Sequence, residues 1–348
     1  MNNFENIFSV ELRRGTYSSG ERLPSEPMLC EQYGFSRPTV HKGLESLIAR
    51  GILSRSGRCV RVASNARQLL SVSDLRGKVT LIVDQEGYSN VLFYRLMELL
   101  MERFRGTYSI EFLVMSRENG NVLDIVDPES VVVLLEHFFP DGVLRQIHAK
   151  CRNVFLVNVV TKYGNWLLPD NYAAGRLVAQ CLYENGHRKI GALLHTPNVV
   201  EFEERFRGIR EYLAEHDVTA KRMQLPHKDY DRRISSVFFE EYVLNQSVTA
   251  VVCLHHKTAL DFYDLAMEHG VAIPDDLSII AFDDTYGTEF LRPPLTAVRY
   301  PVATIAEKIA QAIPKAFEVE RGKTFLKETI PMTFMERDSV QAIRPESG

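Results

Sequence analysis

The chain has little of what would mark a secreted, membrane-bound or thiol-clamped protein. Its five cysteines, Cys30, Cys59, Cys151, Cys181 and Cys253, are odd in number, scattered and never spaced C-x-x-C. That excludes a disulfide framework and a cysteine zinc site. Apolar runs such as Val131–Leu135 and Val154–Val160 fall far short of the ~20 residues that cross a bilayer. The acidic, polar N-terminus lacks the basic-then-apolar order of a signal peptide. With 20 glycines and 15 prolines among 348 residues, and no biased tract, the chain is neither fibrous nor disordered. No Gly-x-Ser-x-Gly elbow, Gly-x-Gly-x-x-Gly loop or His-Glu-x-x-His helix occurs. Gly322-Lys323-Thr324 resembles the end of a phosphate loop, but Phe317 stands where that loop needs its first glycine. No nucleophile with an orienting base can be placed. The sequence predicts no enzyme activity and no cofactor, in a soluble protein of a reducing cytoplasm.

What is present is a charge asymmetry inside a net charge of −4. Residues 1–64 hold nine Lys/Arg against six Asp/Glu, and residues 34–62 hold Arg37, Lys42, Arg50, Arg55, Arg58 and Arg61 against Glu45 alone. A basic segment on an acidic body points to a polyanion partner for one end. Three helices fit within residues 4–50: one over 4–14, one from a Ser25 cap to about Tyr33, and one from a Ser36 cap through Arg37 to about Arg50. The third has a buried stripe of Val40, Leu44, Leu47 and Ile48. Arg37, Thr39, His41 and Lys42 stay off that stripe near the N-terminal end. Residues 52–62 read as two short strands about Ser56-Gly57. Two helices joined by a short turn, the second opening on polar and basic residues, suit the major groove. The competing reading is a three-helix cap with exposed basic residues.

Gly20-x-x-Leu23-Pro24-Ser25-Glu26, Ser36-Arg37-x-Thr39-Val40, Leu44, Leu47, Gly51-Ile52 and Gly57 resemble the winged helix-turn-helix head of the GntR family. The resemblance implies that Ser36, Arg37, Thr39 and His41 face DNA, with Gly57 and Arg58 on the wing. Pro27 and His41 depart from positions that are often basic in the family.

Residues 65–76 read as a linker. From Gly77 onward short apolar strands alternate with amphipathic helices. Strands are expected at Val79–Val83, Ile110–Val114, Val131–Leu135, Val154–Val159, Lys189–Leu194, Ala250–Leu254 and Leu277–Phe282. Helices are expected at Leu92–Arg103, Asp170–Asn185, Glu203–His216, Arg232–Leu244 and Thr258–His269. Such alternation specifies parallel sheets covered by helices, and about 270 residues suit two lobes. Ligands of open α/β sheets sit at the carboxyl ends of strands. The candidates there are Asp84 to Phe93 with Tyr88, then Asn158, Arg205, His255-His256-Lys257 and Asp283-Asp284. Together with Tyr94, Trp166 and Tyr286 they mix polar groups and flat rings in a way that suits a sugar, although such aromatics are often simply core.

Asn185-Gly186-His187-Arg188-Lys189-Ile190-Gly191, Arg205-x-x-Gly208, Gly270-x-x-Ile273-Pro274-x-Asp276-x-Ser278-Ile279-Ile280-x-Phe282-Asp283-Asp284 and Pro294-Leu295-Thr296 resemble the effector domain of the LacI/GalR family. The resemblance implies a two-lobed periplasmic-binding-protein-like domain over 77–340. Lobe 1 is expected over 77–160 and 286–302, and lobe 2 over 161–285 and 303–338. A GntR-type head on this body is similar to the arabinose-repressor type of bacterial regulator.

By position the resemblance gives Arg205 a clamp on ligand hydroxyls or a carboxylate, and it makes Asp283 and Asn158 acceptors. Tyr300, after a strand over Leu295–Arg299, would line the cleft, and His187 would be structural. Arg205 and Asp283 each have a plainer reading, a structural salt bridge. His255-His256-Lys257 replaces an Asn-Asp pair common in the family. It hints at a ligand with a negative group or at a degenerate pocket. A metal is not expected: neighbouring side chains at a strand end point opposite ways, and no third ligand follows at sensible spacing.

The expected whole is a ligand-responsive transcriptional regulator, a homodimer on operator DNA, with a sugar-like effector between its lobes. An enzyme fused to a DNA-binding head, and a sugar-binding module with a non-functional head, stay open as alternatives.

Overall fold

Phe4, Phe8 and Leu12 fall on one side of a helix and are fully buried, which fixes the first element of the head. The computed structural model describes residues 4–57, 59–66, 75–84, 91–115, 122–135, 140–159, 161–194, 200–224 and 232–343. The chain divides into two units, Met1–Val79 with Phe104–Glu111, and Thr80–Arg103 with Phe112–Gly348. In the first, α1 (Phe4–Arg14), α2 (Glu26–Tyr33) and α3 (Arg37–Ala49) precede an antiparallel hairpin of β1 (Leu53–Ser56) and β2 (Cys59–Val62). Phe4 and Phe8 stack, and both meet Tyr33 edge-on. Glu5 ties α1 to the end of α3, accepting from Arg50 at 2.6 Å and Ser46 at 3.0 Å. Val40, Leu44 and Leu47 are buried as expected. The segment before α2 adds to the wing, because Leu23 N–H donates to Val60 O and Gly20 N–H to Val62 O, both at 2.9 Å.

The expected Ser25 and Ser36 caps need correction. Both serines occupy N-cap positions, yet neither side chain makes a capping bond. The Ser36 hydroxyl is instead shared with Thr39 Oγ1 at 2.8 Å. Pro27 and Pro38 also remove one backbone donor from each first turn.

From Lys78 onward the chain is α/β, and its first strands and helix straddle the boundary between the two units. Its elements in order are β3 (Lys78–Asp84), α4 (Val91–Phe104), β4 (Ser109–Met115), α5 (Val122–Ile125), β5 (Val131–Leu134), α6 (Asp141–Lys150), β6 (Asn153–Val157), β7 (Asn165–Pro169), α7 (Asn171–Glu184), β8 (Ile190–Leu194), α8 (Val200–Ala214), β9 (Ala220–Gln224), α9 (Arg232–Phe238), β10 (Ala250–Cys253), α10 (His256–His269), β11 (Ser278–Phe282), β12 (Thr296–Arg299), α11 (Val302–Glu318), β13 (Lys327–Ile330) and β14 (Thr333–Met335). A π-helical turn over Phe239–Leu244 extends α9. Two six-stranded sheets result, ordered β13-β7-β6-β5-β3-β4 and β14-β12-β11-β10-β8-β9. The second is parallel except at its edge, where β14 runs antiparallel to β12. Near-continuous apolar strands such as β5, β8, β10 and β11, buried throughout, are what burial on both faces demands.

All seven expected strands and all five expected helices are present, but the chain changes sheets at places other than those expected. Asn165–Pro169 and Lys327–Ile330, assigned from sequence to the second lobe, lie in the first sheet; Thr296–Arg299, assigned to the first, lies in the second. The chain therefore crosses between sheets three times, at Asp170, at Tyr300-Pro301 and at Pro331-Met332. α11 returns to pack on β5 and β6.

Helices α7 and α8 touch backbone to backbone. A Cβ on Gly175 would lie 2.1 Å from Arg205 O, and one on Gly208 would lie 2.1 Å from Tyr172 O. Overpacking of this kind costs about 1–3 kcal/mol. Gly208→Ala is therefore expected to lower the thermal unfolding midpoint by several degrees. Gly142→Ala, at a helical site with open space around it, should leave the midpoint unchanged or raise it slightly.

Candidate functional site

Arg205 is 3% exposed, and a buried guanidinium must find acceptors for its donors. Its Nε donates to Asn171 Oδ1 at 2.9 Å and Nη1 to Leu254 O at 2.7 Å. Nη1 and Nη2 reach Asp283 Oδ2 and Oδ1 at 3.2 and 2.8 Å. Four of its five N–H groups are thus held by the protein, and the guanidinium stacks on Phe282 at 4.6 Å. The close α7–α8 contact sets the height of Arg205. Asp170 fixes the start of α7, accepting from Ala173 N–H at 2.9 Å, and so places Asn171.

Asp283 follows β11 with φ 66°, and Asn158 follows β6 with φ 67°. Left-handed backbone outside glycine is uncommon and collects at functional sites, and each residue stands just past the carboxyl end of a strand. Tyr300, in the second sheet crossing, donates its hydroxyl to Asn158 Oδ1 at 2.6 Å, and its ring meets Phe93 edge-on at 6.4 Å. The predicted residues thus form two groups: Arg205, Asp283 and the His pair in one, and Asn158, Tyr300 and Phe93 in the other. Lys257 is exposed on the first turn of α10. The side chain of Asp84, and all of Tyr88, lie outside the described residues.

The reasoning against a metal fails in one step. His255 is extended and caps α10, and His256 is the first helical residue. The strand-to-helix turn therefore brings the two rings side by side, 4.3 Å between centroids; strict alternation holds only inside a strand. Asp283 brings a third donor-bearing side chain that the sequence reading did not place there: donor atoms of His255, His256 and Asp283 all lie within 4.8 Å of one another.

Asn171 and Glu201 were missed from sequence. Glu201, one helical turn before Arg205, is in electrostatic range of Arg205 and Asp283, and burial raises its pKa. The i, i+4 spacing to Arg205 was the available signal. Asp284, adjacent to Asp283, has another task. Arg337 grips both its oxygens at 2.9 and 3.0 Å, and Arg299 adds a bond at 2.9 Å, pinning the C-terminal segment to β12. His187 is structural: its ring bonds Thr249 Oγ1 at 2.9 Å and Gln341 O at 3.1 Å. Trp166 packs against the core of the first lobe. Tyr94 and Tyr286 are exposed.

In the head, the first turns of α3 are open to solvent, with the Arg37 side chain 76% exposed. Ser36, His41, Lys42 and Gly57 are also exposed, and Thr39 is half-buried. Glu26 on α2 faces this end, bonded to His41 Nδ1 at 2.9 Å and 3.7 Å from Arg37 Nε. Its pKa is lowered chiefly by the His41 bond. Arg58 lies outside the described residues.

The titrations of His255, His256 and Asp283 share one sign, opposite to that of the raised Glu201 carboxyl. Burial drives His255 down to about 3 and lowers His256, against the pull of Asp283. Burial pushes Asp283 up, but Arg205 and the imidazoles outweigh it and hold the carboxyl below its ordinary value. Unfolded imidazoles protonate near pH 6.5 and the folded ones resist, so unfolding takes up protons as pH falls from about 6.5 toward 3. Asp283 adds loss in the same direction below about pH 4. One proton contributes at most about 1.4 kcal/mol per pH unit. The unfolding midpoint should fall on acidification from pH 7 to 5, and His255→Gln should flatten that slope.

Residues 9–62 match the model for bacterial regulatory proteins of the gntR family, and residues 179–340 match the periplasmic binding protein-like domain. The HTH-type transcriptional regulator GalR of Salmonella typhimurium is 26% identical over 186 residues, 52% of this chain and 54% of that protein. The HTH-type transcriptional repressor PurR of Mannheimia succiniciproducens is 29% identical over 165 residues, 47% of this chain and 48% of the repressor. The chain spans about half the length of the curated relatives it matches. The crystal structure of a LacI family transcriptional regulator from Enterococcus faecium, with bound ribose, superposes with a TM-score of 0.66 at 18% identity. It covers 76% of this chain and all of that one.

Proposed function

We propose that this chain, a gntR-type winged helix-turn-helix head joined to a two-lobed body with the fold of LacI-family regulators, is a ligand-responsive transcriptional regulator acting as a repressor in the cytoplasm. The observation that carries the reading is in the head: α3 buries Val40, Leu44 and Leu47 and leaves Ser36, Arg37, His41 and Lys42 exposed at its N-terminal end. A helix of this kind enters the major groove with its first turns on base edges and phosphates. Thr39 joins that surface, Gly57 stands just past the end of the first wing strand, and Arg58 is assigned a DNA contact from the sequence alone. Glu26 restrains Arg37 and His41 until phosphate competes for them.

A homodimer places one head on each half of a pseudo-palindromic operator. The effector is a sugar or sugar derivative, a class supported by the ribose held in the Enterococcus faecium structure of the same fold. Asn158, Tyr300 and Phe93 meet it from the first lobe, and Arg205, His256, Lys257 and Asp283 from the second; Asp84 and Tyr88 are assigned to it from the sequence alone. Arg205 serves mainly to hold Asp283 in place, with one N–H left for ligand. Effector binding biases lobe closure, and such coupling is worth about 1–3 kcal/mol. Neither catalysis nor a cofactor is part of this reading.

Two measurements test it. DNA selected from a random pool by the full chain should bind Arg37→Ala about ten- to a hundredfold more weakly, roughly 1–3 kcal/mol; equal gel-shift titrations would refute the head assignment. A sugar at a hundred times its dissociation constant adds about 2.7 kcal/mol of stability, so a thermal-shift screen should find one, and Asn158→Ala should abolish its shift with DNA binding intact. A full sugar panel without a hit, or a shift indifferent to Asn158→Ala, would refute the body assignment.

A further inference from the structure

Two imidazoles and a carboxylate converge where β10 and β11 end, and the sugar reading does not use the three as one set. We propose that His255, His256 and Asp283 bind a transition-metal cation of the Zn²⁺ class, with at least one coordination position open. Donor atoms of the three residues lie within 4.8 Å of one another. Zinc bonds of about 2.0–2.1 Å in a tetrahedron bring donors to roughly 3.4 Å, so binding requires the three side chains to close in by up to about 1.4 Å. The second observation is independent of that spacing: Nδ1 of His256, a residue only 8% exposed, is buried with no hydrogen-bond partner among the described residues. A buried polar atom left unpaired is costly, and a metal bond removes the cost.

The charges nearby decide whether a cation is tolerated. Arg205 stands beside the trio, and the N-terminus of α10 favours anions. Both are already engaged. Arg205 directs its two terminal nitrogens at the Asp283 oxygens, and Lys257 N–H is directed at His255 Nδ1, though at a long 3.3 Å. Metal at His255 Nε2 moves the ring proton to Nδ1 and gives up only that weak contact. Arg205 then orients the ligating carboxylate from behind, as outer partners of metal sites do. Two nitrogens and one carboxylate select Zn²⁺, Co²⁺ or Ni²⁺ over Mg²⁺ and Ca²⁺. The open position takes water or, resting on the effector reading, an oxygen of the effector.

The test uses the chelator-stripped full chain without effector. Equilibrium dialysis against ZnCl2 with elemental analysis should give one ion per chain, weakened at least tenfold by His255→Gln and by His256→Gln. Failure to take up one ion per chain, or uptake unchanged in the double variant, overturns the site. Should a variant not fold, Co²⁺ bound to the wild-type chain decides: a visible spectrum of nitrogen and oxygen ligation supports the trio, and one showing cysteine sulfur or only water overturns it. Inorganic phosphate is the competing probe, and a His256-dependent thermal shift with phosphate but none with Zn²⁺ assigns an anion site and overturns the proposal. A chain that binds Zn²⁺ yet answers no sugar keeps the metal and loses the effector reading.

Discussion

The ion pair between Arg205 and Asp283 is the constraint around which the second lobe is arranged. Both side chains are almost wholly buried, where an isolated charge is costly and a pair survives only if its remaining donors and acceptors are met. Asn171 and the Leu254 carbonyl meet them. One guanidinium thereby links the start of α7, the end of β10 and the end of β11. Removing either charge leaves the other stranded, a loss of about 3–5 kcal/mol, so a defect in ligand response after such a change cannot be separated from damage to the lobe. The salt-bridge and ligand readings of Arg205 and Asp283 are therefore not rivals. The pair is structural, and being structural it presents a carboxylate and one spare N–H in a fixed place.

That fixed place depends on two residues without side chains. Gly175 and Gly208 let α7 and α8 approach until a Cβ on either would overlap backbone of the other helix. Arg205 lies one turn before Gly208, so any separation of the helices carries the guanidinium away from Asp283. The Arg205-x-x-Gly208 spacing in the sequence is thus one device: the glycine sets the depth and the arginine uses it.

The sequence made the strands of the body legible because double burial turns them into unbroken apolar runs; β5, β8 and β11 could hardly be read otherwise. The helical stripe of α3 was equally plain. Asn165–Pro169 and Lys327–Ile330 were missed because one contains a tryptophan and ends in proline, and the other alternates with Lys327 and Glu328 at the edge of its sheet. Membership of a sheet is also a long-range fact: β13 pairs with β7 across more than 150 positions of chain, and no local pattern encodes that. The His pair misled for a related reason. Alternation was applied one residue past the strand, where the chain had already turned into α10, and Asp283 arrives from β11, a neighbour in space only.

Two of the three sheet crossings lie next to residues of the candidate site. Asn171 follows the first crossing and holds Arg205, and Tyr300 lies within the second and bonds Asn158. At the first and third crossings the strands are tied side by side, Asp170 N–H donating to Ile330 O at 2.9 Å. The positions of Arg205 and Asn158 are thus set at the first and second crossings. Rotation of one lobe against the other must be absorbed by the few backbone torsions there, because the packed sheets on either side do not deform. Asn171 beside the first crossing and Tyr300 within the second are the polar side chains that carry those positions into the site, through Arg205 and Asn158 respectively.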